Sequence, residues 1–322
     1  MPGVMHLGTA LVCGYKILDM VQAGFDFTIL LADWHAWLNR KLNDDFESIR
    51  LFGRYFIECF SAIGLNSERV HYSWTSDLVK SPEYWRTVLE VAKETSVPRI
   101  SRTLPIMGRE ADLKEFDAAA MIYPCMQVAD MYELEIDCAC AGIDQRKAHM
   151  LAREIAPKLN KTKPVSLHTH LLLGLRGSQA KMGQLFDEDE GINLQIGAKM
   201  SKSIPNSTVN IHDEPDEIIK KFRNAFCPPA QTKGNPVLEV AKYIIFGKMD
   251  SITIEREAKH GGQLIFNSYT DLEDAYSKGQ LHPLDLKSGV AEAVIQILEP
   301  VRKYFGARSE ILERLRQFEI TR

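Results

Sequence analysis

The 322-residue sequence predicts an α/β fold, a parallel sheet in the first two thirds followed by a mostly α-helical unit, and three observations carry that reading. Short apolar runs alternate with amphipathic helical patterns from residue 27 to about residue 158, the rhythm of strand–helix–strand units with parallel strands. Residues 81–116 keep helical periodicity without a strand, which marks a helical insertion over about 81–120. After Ile204-Pro205 the character changes, and acidic and proline helix-opening combinations take over. The boundary falls near residue 208, giving units of 1–208 and 209–322, consistent with domains of about 150 residues.

Taken in order, Phe27-Thr28-Ile29-Leu30-Leu31 reads as a buried strand, 45–63 as an amphipathic helix and 69–74 as a second strand. Residues 137–141 form the next strand, and 145–158 the helix after it. Asp213-Glu214-Pro215 opens a helix through Phe226, Pro228-Pro229 breaks the chain, and 237–246 is helical again. Residues 251–257 and 263–268 flank Gly261-Gly262 as a hairpin. Helices over 272–277, 283–305 and 309–320 complete the second unit.

The composition, 45% hydrophobic and 25% charged, is that of an ordinary globular protein and excludes collagen-like, disordered and coiled-coil classes. The most apolar stretch, 27–38, is broken by Asp33 and His35 well short of the ~20 residues a membrane span needs. No basic residue precedes the apolar start, as a signal peptide would require, so the expected location is the cytoplasm. The six cysteines are too sparse for a disulfide framework and read as buried small hydrophobes. A net charge of −4 means that a nucleic acid partner must be held by local patches. One candidate is the 144–163 segment, where six basic residues face two acidic ones; a solvated helix face would explain the same charges.

Four segments carry chemistry. His6-Leu7-Gly8-Thr9 opens a helix, where free N–H groups and the helix dipole suit a polyphosphate. Lys199-Met200-Ser201-Lys202-Ser203 places two lysines three apart among small hydroxyls, able to neutralise charge on transferring phosphates. A single lysine would be no more than a polar turn. In Tyr123-Pro124-Cys125-Met126-Gln127-Val128-Ala129-Asp130 the proline fits a first helical turn, so Tyr123, Gln127 and Asp130 share one face at i, i+4 and i+7. A phenol, an amide and a carboxylate on one inward face each need a partner. Gly142-Ile143-Asp144-Gln145 lies where a strand enters a helix, the place where open α/β sheets bind ligands; capping explains Asp144 equally well, but not Gln145.

Together these segments resemble a class I aminoacyl-tRNA synthetase, specifically the tyrosyl-tRNA synthetases of archaeal and eukaryotic type. His6 to Thr9 is similar to the HIGH signature, with Thr9 in place of the last histidine, and Lys199 to Ser203 is the complete KMSKS signature. The remaining two segments match the tyrosine-binding helix and the GGxDQRK segment, with Ala141 where the first glycine is usual. The resemblance implies a Rossmann-like catalytic domain and a helical anticodon-binding domain. It implies tyrosine activation by ATP with Mg2+, no protein-bound metal, tyrosine transfer to tRNA(Tyr), and a homodimer mated through the insertion.

Residue by residue, the resemblance gives Tyr123, Gln127 and Gln145 to the tyrosine amino group and ring, and Asp130 to its phenolic hydroxyl. Leu30 and His35 become pocket walls, although His35 read alone is equally a satisfied core histidine. His6, Lys199 and Lys202 would stabilise the transferring phosphates, with Gly8, Asp144 and Ser203 at the nucleotide. Arg146, Lys147 and Arg102 would meet the tRNA acceptor end, while His260 and Asp285 would read the anticodon; without the family these last two are a turn and a helix cap. In the family a strand carrying a tyrosine and glycines precedes the HIGH segment, whereas here Met1 stands five residues before His6. The resemblance therefore implies a shortened gene product or a misassigned start, and a sheet without its central strand. A catalytically inactive RNA- or protein-binding paralogue is the alternative from another class, and tryptophanyl specificity on the same fold is the nearer one.

Overall fold

The computed structural model describes residues 4–108, 117–177, 189–200 and 207–319. The helix behind His6 begins as a wide π turn, Gly8–Cys13, and continues as α1, Gly14–Gln22. Strand β1, Phe27–Leu31, leads into α2, Asp33–Leu38, and α3, Phe46–Ala62, starts where the Asp45 carboxylate accepts from the Ser48 amide. Strand β2, Val70–Trp74, runs into α4, Thr75–Leu78. β1 and β2 pair in parallel, Phe27 opposite Val70 and Leu31 opposite Trp74. Asp33 is buried at the joint: it accepts from the amides of Trp34 and Ser76, and the Ser76 hydroxyl also bonds to it, so one carboxylate fastens the starts of both short helices.

The strand-free section contains α5, Pro82–Lys93, α6, Val97–Ser101, and a 3-10 turn, Leu104–Met107; residues 109–116 lie outside the described residues. After α7, Ala118–Glu133, strand β3, Cys138–Gly142, enters a 3-10 turn and then α8, Arg146–Ile155. Strand β4, Val165–Thr169, pairs with β3 in parallel, Cys138 opposite Val165 and Gly142 opposite Thr169. β4 goes unread in the sequence analysis because Ser166 and His168 break its apolar run; the alternation of Val165 and Leu167 with them is its only signal. The two parallel pairs form separate two-stranded sheets among the described residues.

Helix α9, Glu190–Gly197, precedes the lysine segment. Beyond residue 208 come α10, Pro215–Arg223, and α11, Pro236–Val240, which runs on as a π turn, Ala241–Ile245. The expected hairpin is present as antiparallel β5, Ile252–Ile254, and β6, Leu264–Phe266. Helices α12, Tyr269–Ser277, α13, Pro283–Gly306, and α14, Ser309–Glu319, follow. Among the described residues no helix is long and apolar enough to cross a membrane.

Two apolar cores organise these elements. One joins residues of 5–65 to residues of 172–315, so the C-terminal helices pack directly against α3 and the π turn before α1. The other gathers α5, α7 and α8 around Tyr84, Met126 and Leu151. All six cysteines are free; Cys59, Cys125 and Cys227 are buried, whereas Cys13, Cys138 and Cys140 are half-buried. The expectation of buried small hydrophobes is thus corrected for the latter three, which sit at the edge of a cavity.

Gly289 lets β5 lie directly on α13, since a Cβ there would stand 2.8 Å from Ile254 Cγ1 and 3.5 Å from its Cα. Glycine to alanine inside a helix ordinarily gains about 1 kcal/mol. Here the β-branched neighbour cannot yield, and Gly289→Ala is expected to lower stability by about 1–2 kcal/mol. The urea midpoint should fall; a rise would show that β5 shifts freely.

Candidate active site

The polar face of α7 is set by its cap. Asp117 accepts from the Ala120 amide, so the helix starts at Ala118 and Pro124 lies inside it, not in the first turn as its sequence position suggested. A cap upstream satisfies the free N–H groups, and the proline then deletes one helical bond without ending the helix. Tyr123, Gln127 and Asp130 still share a face.

That face borders a cavity of about 640 Å³. Leu30, His35, Tyr123, Gln127, Asp130 and Gln145, drawn from four separate segments, all line it. The cavity continues between the sheets, where residues 27–30 of β1 and 136–141 around β3 line it consecutively. Side chains alternate between strand faces, so a wall of consecutive residues is a strand edge. Among the described residues neither edge has a strand partner.

The polar atoms facing this space are fixed but incompletely satisfied. Asp130 is 2% exposed, and its Oδ1 accepts from the hydroxyl of the buried Tyr84 at 2.8 Å. Among the described residues its Oδ2, Gln127 Oε1 and both ring nitrogens of His35 have no hydrogen-bond partner. His35 Nε2 approaches Oδ2 to 3.2 Å. Buried groups left this way cost about 1–3 kcal/mol each, so their convergence on one cavity marks a place for a polar ligand. It also separates His35 from a satisfied core histidine. The amides are held in line: Gln127 Nε2 donates to Gln145 Oε1 at 3.1 Å, and Gln145 Nε2 donates to the Ile106 carbonyl at 3.2 Å. The Tyr123 ring meets His35 edge-on, centroids 4.8 Å apart.

Burial pushes the Asp130 carboxyl up to about 8; the Tyr84 hydroxyl pulls it down and the charge of Asp33 pushes it further up. Burial holds the His35 imidazole down to about 4. Between those values the contact joins a neutral acid to a neutral imidazole and is not an ion pair.

A second group gathers at the C-terminal ends of β3 and β4. Lys199 Nζ bonds Asp144 Oδ2 at 2.8 Å. The lysine lies on an extended platform: Leu173 bridges Lys199, Met200 N donates to Leu172 O at 2.6 Å, and Gly174 N donates to Ala198 O at 2.9 Å. Gly8 N donates to His6 Nδ1 at 3.2 Å, and a Cβ on Gly8 would meet that ring at 3.2–3.3 Å, so glycine lets the imidazole fold back over its own helix start. The same Cβ would stand 3.9 Å from Leu172, which places His6 and Gly8 beside the platform. Lys202 and Ser203 lie outside the described residues.

Arg146 and Lys147 begin α8 directly after Gln145, and Arg102 is exposed at the end of α6, which the Arg99–Glu154 pair, 2.7 Å, ties to α8. His260 is exposed in the β5–β6 connection and Asp285 lies in the first turn of α13, in the C-terminal part of the fold. Beside it, His282 Nδ1 accepts from the Leu284 amide and caps the helix. Sequence reading missed Tyr84, the Ile106 carbonyl and Glu239. Tyr84 is apolar-face periodic within α5, but nothing local shows its hydroxyl reaching residue 130.

An acid whose pKa is raised on folding keeps its proton in the native state while the unfolded chain loses it, so stability falls as pH climbs from about 4 to about 8. Asp130→Asn mimics the neutral acid. Its melting temperature should gain on the parent chain's across that window, by the equivalent of a few kcal/mol, and level off above it. A pH-independent difference would mean that Asp130 ionises normally.

A family model described as tRNA synthetases class I (W and Y) matches residues 2–299. A Sulfurisphaera tokodaii protein named tyrosine–tRNA ligase is 44% identical over 309 residues, 96% of this chain and 83% of its own length. The solved tyrosyl-tRNA synthetase of Pyrococcus horikoshii, complexed with L-tyrosine, superimposes with a TM-score of 0.90 at 40% identity, covering 98% of this chain and 89% of that one. The solved Aeropyrum pernix tyrosyl-tRNA synthetase gives 0.84 at 39% identity, with coverages of 98% and 87%. The chain belongs to the class I tRNA synthetase family (W and Y).

Proposed function

We propose that this chain is a tyrosine–tRNA ligase that activates tyrosine with Mg–ATP to tyrosyl-adenylate and transfers the tyrosine to the 3′ end of tRNA(Tyr). The observation that carries the reading is Asp130 Oδ2, without a hydrogen-bond partner among the described residues and buried in a cavity beside His35 and Gln127. A phenolic hydroxyl, both donor and acceptor, pairs with it whether the carboxyl is protonated or ionised. Phenylalanine has no hydroxyl to pair with the carboxyl. Relatives named tyrosine–tRNA ligase at 41–44% identity support the same choice over tryptophan.

In this reading Tyr123, Gln127 and Gln145 hold the amino group and ring, and Leu30 and His35 close the wall. The substrate carboxylate, already an anion, attacks the α-phosphate in line and expels pyrophosphate, so no enzyme base is required. Lys199, with Lys202 and His6, stabilises the phosphates. Asp144, held by Lys199, turns to the ribose when the phosphates take the ammonium, while Gly8 and Ser203 flank the nucleotide. The adenylate is then attacked by the terminal ribose of the tRNA, whose acceptor end Arg146, Lys147 and Arg102 would contact; His260 and Asp285 would read the anticodon. The division at 208/209 is thus one of labour, because the larger core runs across it. Leu89 at 63% exposure and Val97 at 68%, both in the insertion, support a homodimer through that surface. The tRNA and ATP substrates support a cytoplasmic location.

Tyrosine-dependent ATP–pyrophosphate exchange tests the reading, and no exchange would leave the inactive paralogue in its place. Lys199→Ala should lower kcat about a hundredfold while tyrosine binding persists. Asp130→Ala should cut the tyrosine-over-phenylalanine ratio of kcat/KM by at least about tenfold, and an unchanged ratio would refute the pocket assignment. Light scattering should give twice the chain mass, and Leu89→Glu with Val97→Glu should halve it.

A further inference from the structure

Glu239 lies on α11, in the C-terminal part of the chain, yet its carboxylate reaches the platform under Lys199. In an extended segment successive peptide groups face opposite edges. Leu172 O and Gly174 N face the lysine segment and bond Met200 and Ala198. The amide of Leu173, between them, faces the other way, and there Glu239 Oε2 accepts it at 2.9 Å. The same oxygen stands 3.2 Å from His170 Nε2. The His170 ring stacks on Tyr243, one turn beyond Glu239, with centroids 3.9 Å apart and planes 15° from parallel. Glu239 is itself fixed, because Asn235 caps the start of its helix by accepting from Val237 and Leu238 amides.

We propose that Glu239 is a positioning residue through which the C-terminal helical part sets the height of the Lys199 segment over Asp144. The proposal deepens the ligase reading and rests on it for its catalytic consequence. A carboxylate accepting a backbone N–H makes a strong, directional bond, and here it replaces the strand neighbour that the platform's second edge lacks among the described residues. Lys199 acts on phosphate oxygens only as the transition state forms, so a displaced platform lowers turnover and leaves the separate tyrosine cavity, walled by α7 and β1, intact.

Glu239→Ala, Glu239→Gln and the parent chain decide the matter by two readouts. In exchange, Glu239→Ala should lower kcat roughly ten- to a hundredfold with KM for tyrosine unchanged within about twofold, and Glu239→Gln, whose Oε1 can still accept from Leu173, should recover most of it. Amide hydrogen exchange over residues 170–175 and 198–200 should accelerate in the alanine variant and return toward the parent rate in the glutamine variant. Unchanged amide exchange in Glu239→Ala overturns the proposal, as does a parallel loss of kcat, tyrosine affinity and melting temperature that glutamine fails to rescue. If the parent chain has no exchange activity, the ligase reading fails by itself, and the amide measurement still decides whether Glu239 holds the platform.

Discussion

A buried carboxyl group with one oxygen committed and the other open is the constraint on which the site depends. Tyr84 takes Oδ1 of Asp130, and that bond fixes the carboxyl plane and aims Oδ2 at the cavity. To make it, α5 must pack against α7 so that a phenol from a segment without strands meets the polar face of the helix. The group stays neutral below about pH 8 because burial disfavours its charged form, which makes that burial tolerable.

The neighbouring charge site is arranged differently. Lys199 and Asp144 satisfy each other, so the cation is held in place and partly screened. Its backbone rests on a short extended platform whose two edges are bound by unlike partners, the lysine strand on one side and a side-chain carboxylate from a distant helix on the other. The cavity and the lysine share part of their support: the cavity lies between the core around Tyr84 and the core that joins β1 to the C-terminal helices, and the platform under Lys199 rests on the second.

Local sequence made much of this legible. A continuous apolar run located β1, the alternation of Val70, Tyr72 and Trp74 with His71 and Ser73 located β2, and Asp45 and Pro215 mark helix starts where capping physics puts them. Sharp helix ends were less legible: residues 145–158 read as one helix, but Pro157 and the left-handed Asn160, φ 52°, turn its last turn into a 3-10 segment. The Tyr123–Asp130 face was legible because three polar groups at helical spacing cannot be left inside a core without partners. Its start was misplaced because Pro124 carries a stronger local signal than the Asp117 cap that prevails.

Sequence by itself determined the α/β order, the polar face of α7, the lysine segment and, through family resemblance, the chemistry expected of them, because each rests on periodicity or on residues close along the chain. Tertiary structure decided which oxygen of Asp130 Tyr84 takes, that His35 faces the other, that Lys199 is paired with Asp144, and that Glu239 reaches the platform from α11. Those outcomes depend on contacts between residues 46 to 66 positions apart, as in Tyr84–Asp130, Asp144–Lys199 and Leu173–Glu239, and no local pattern encodes where such side chains meet.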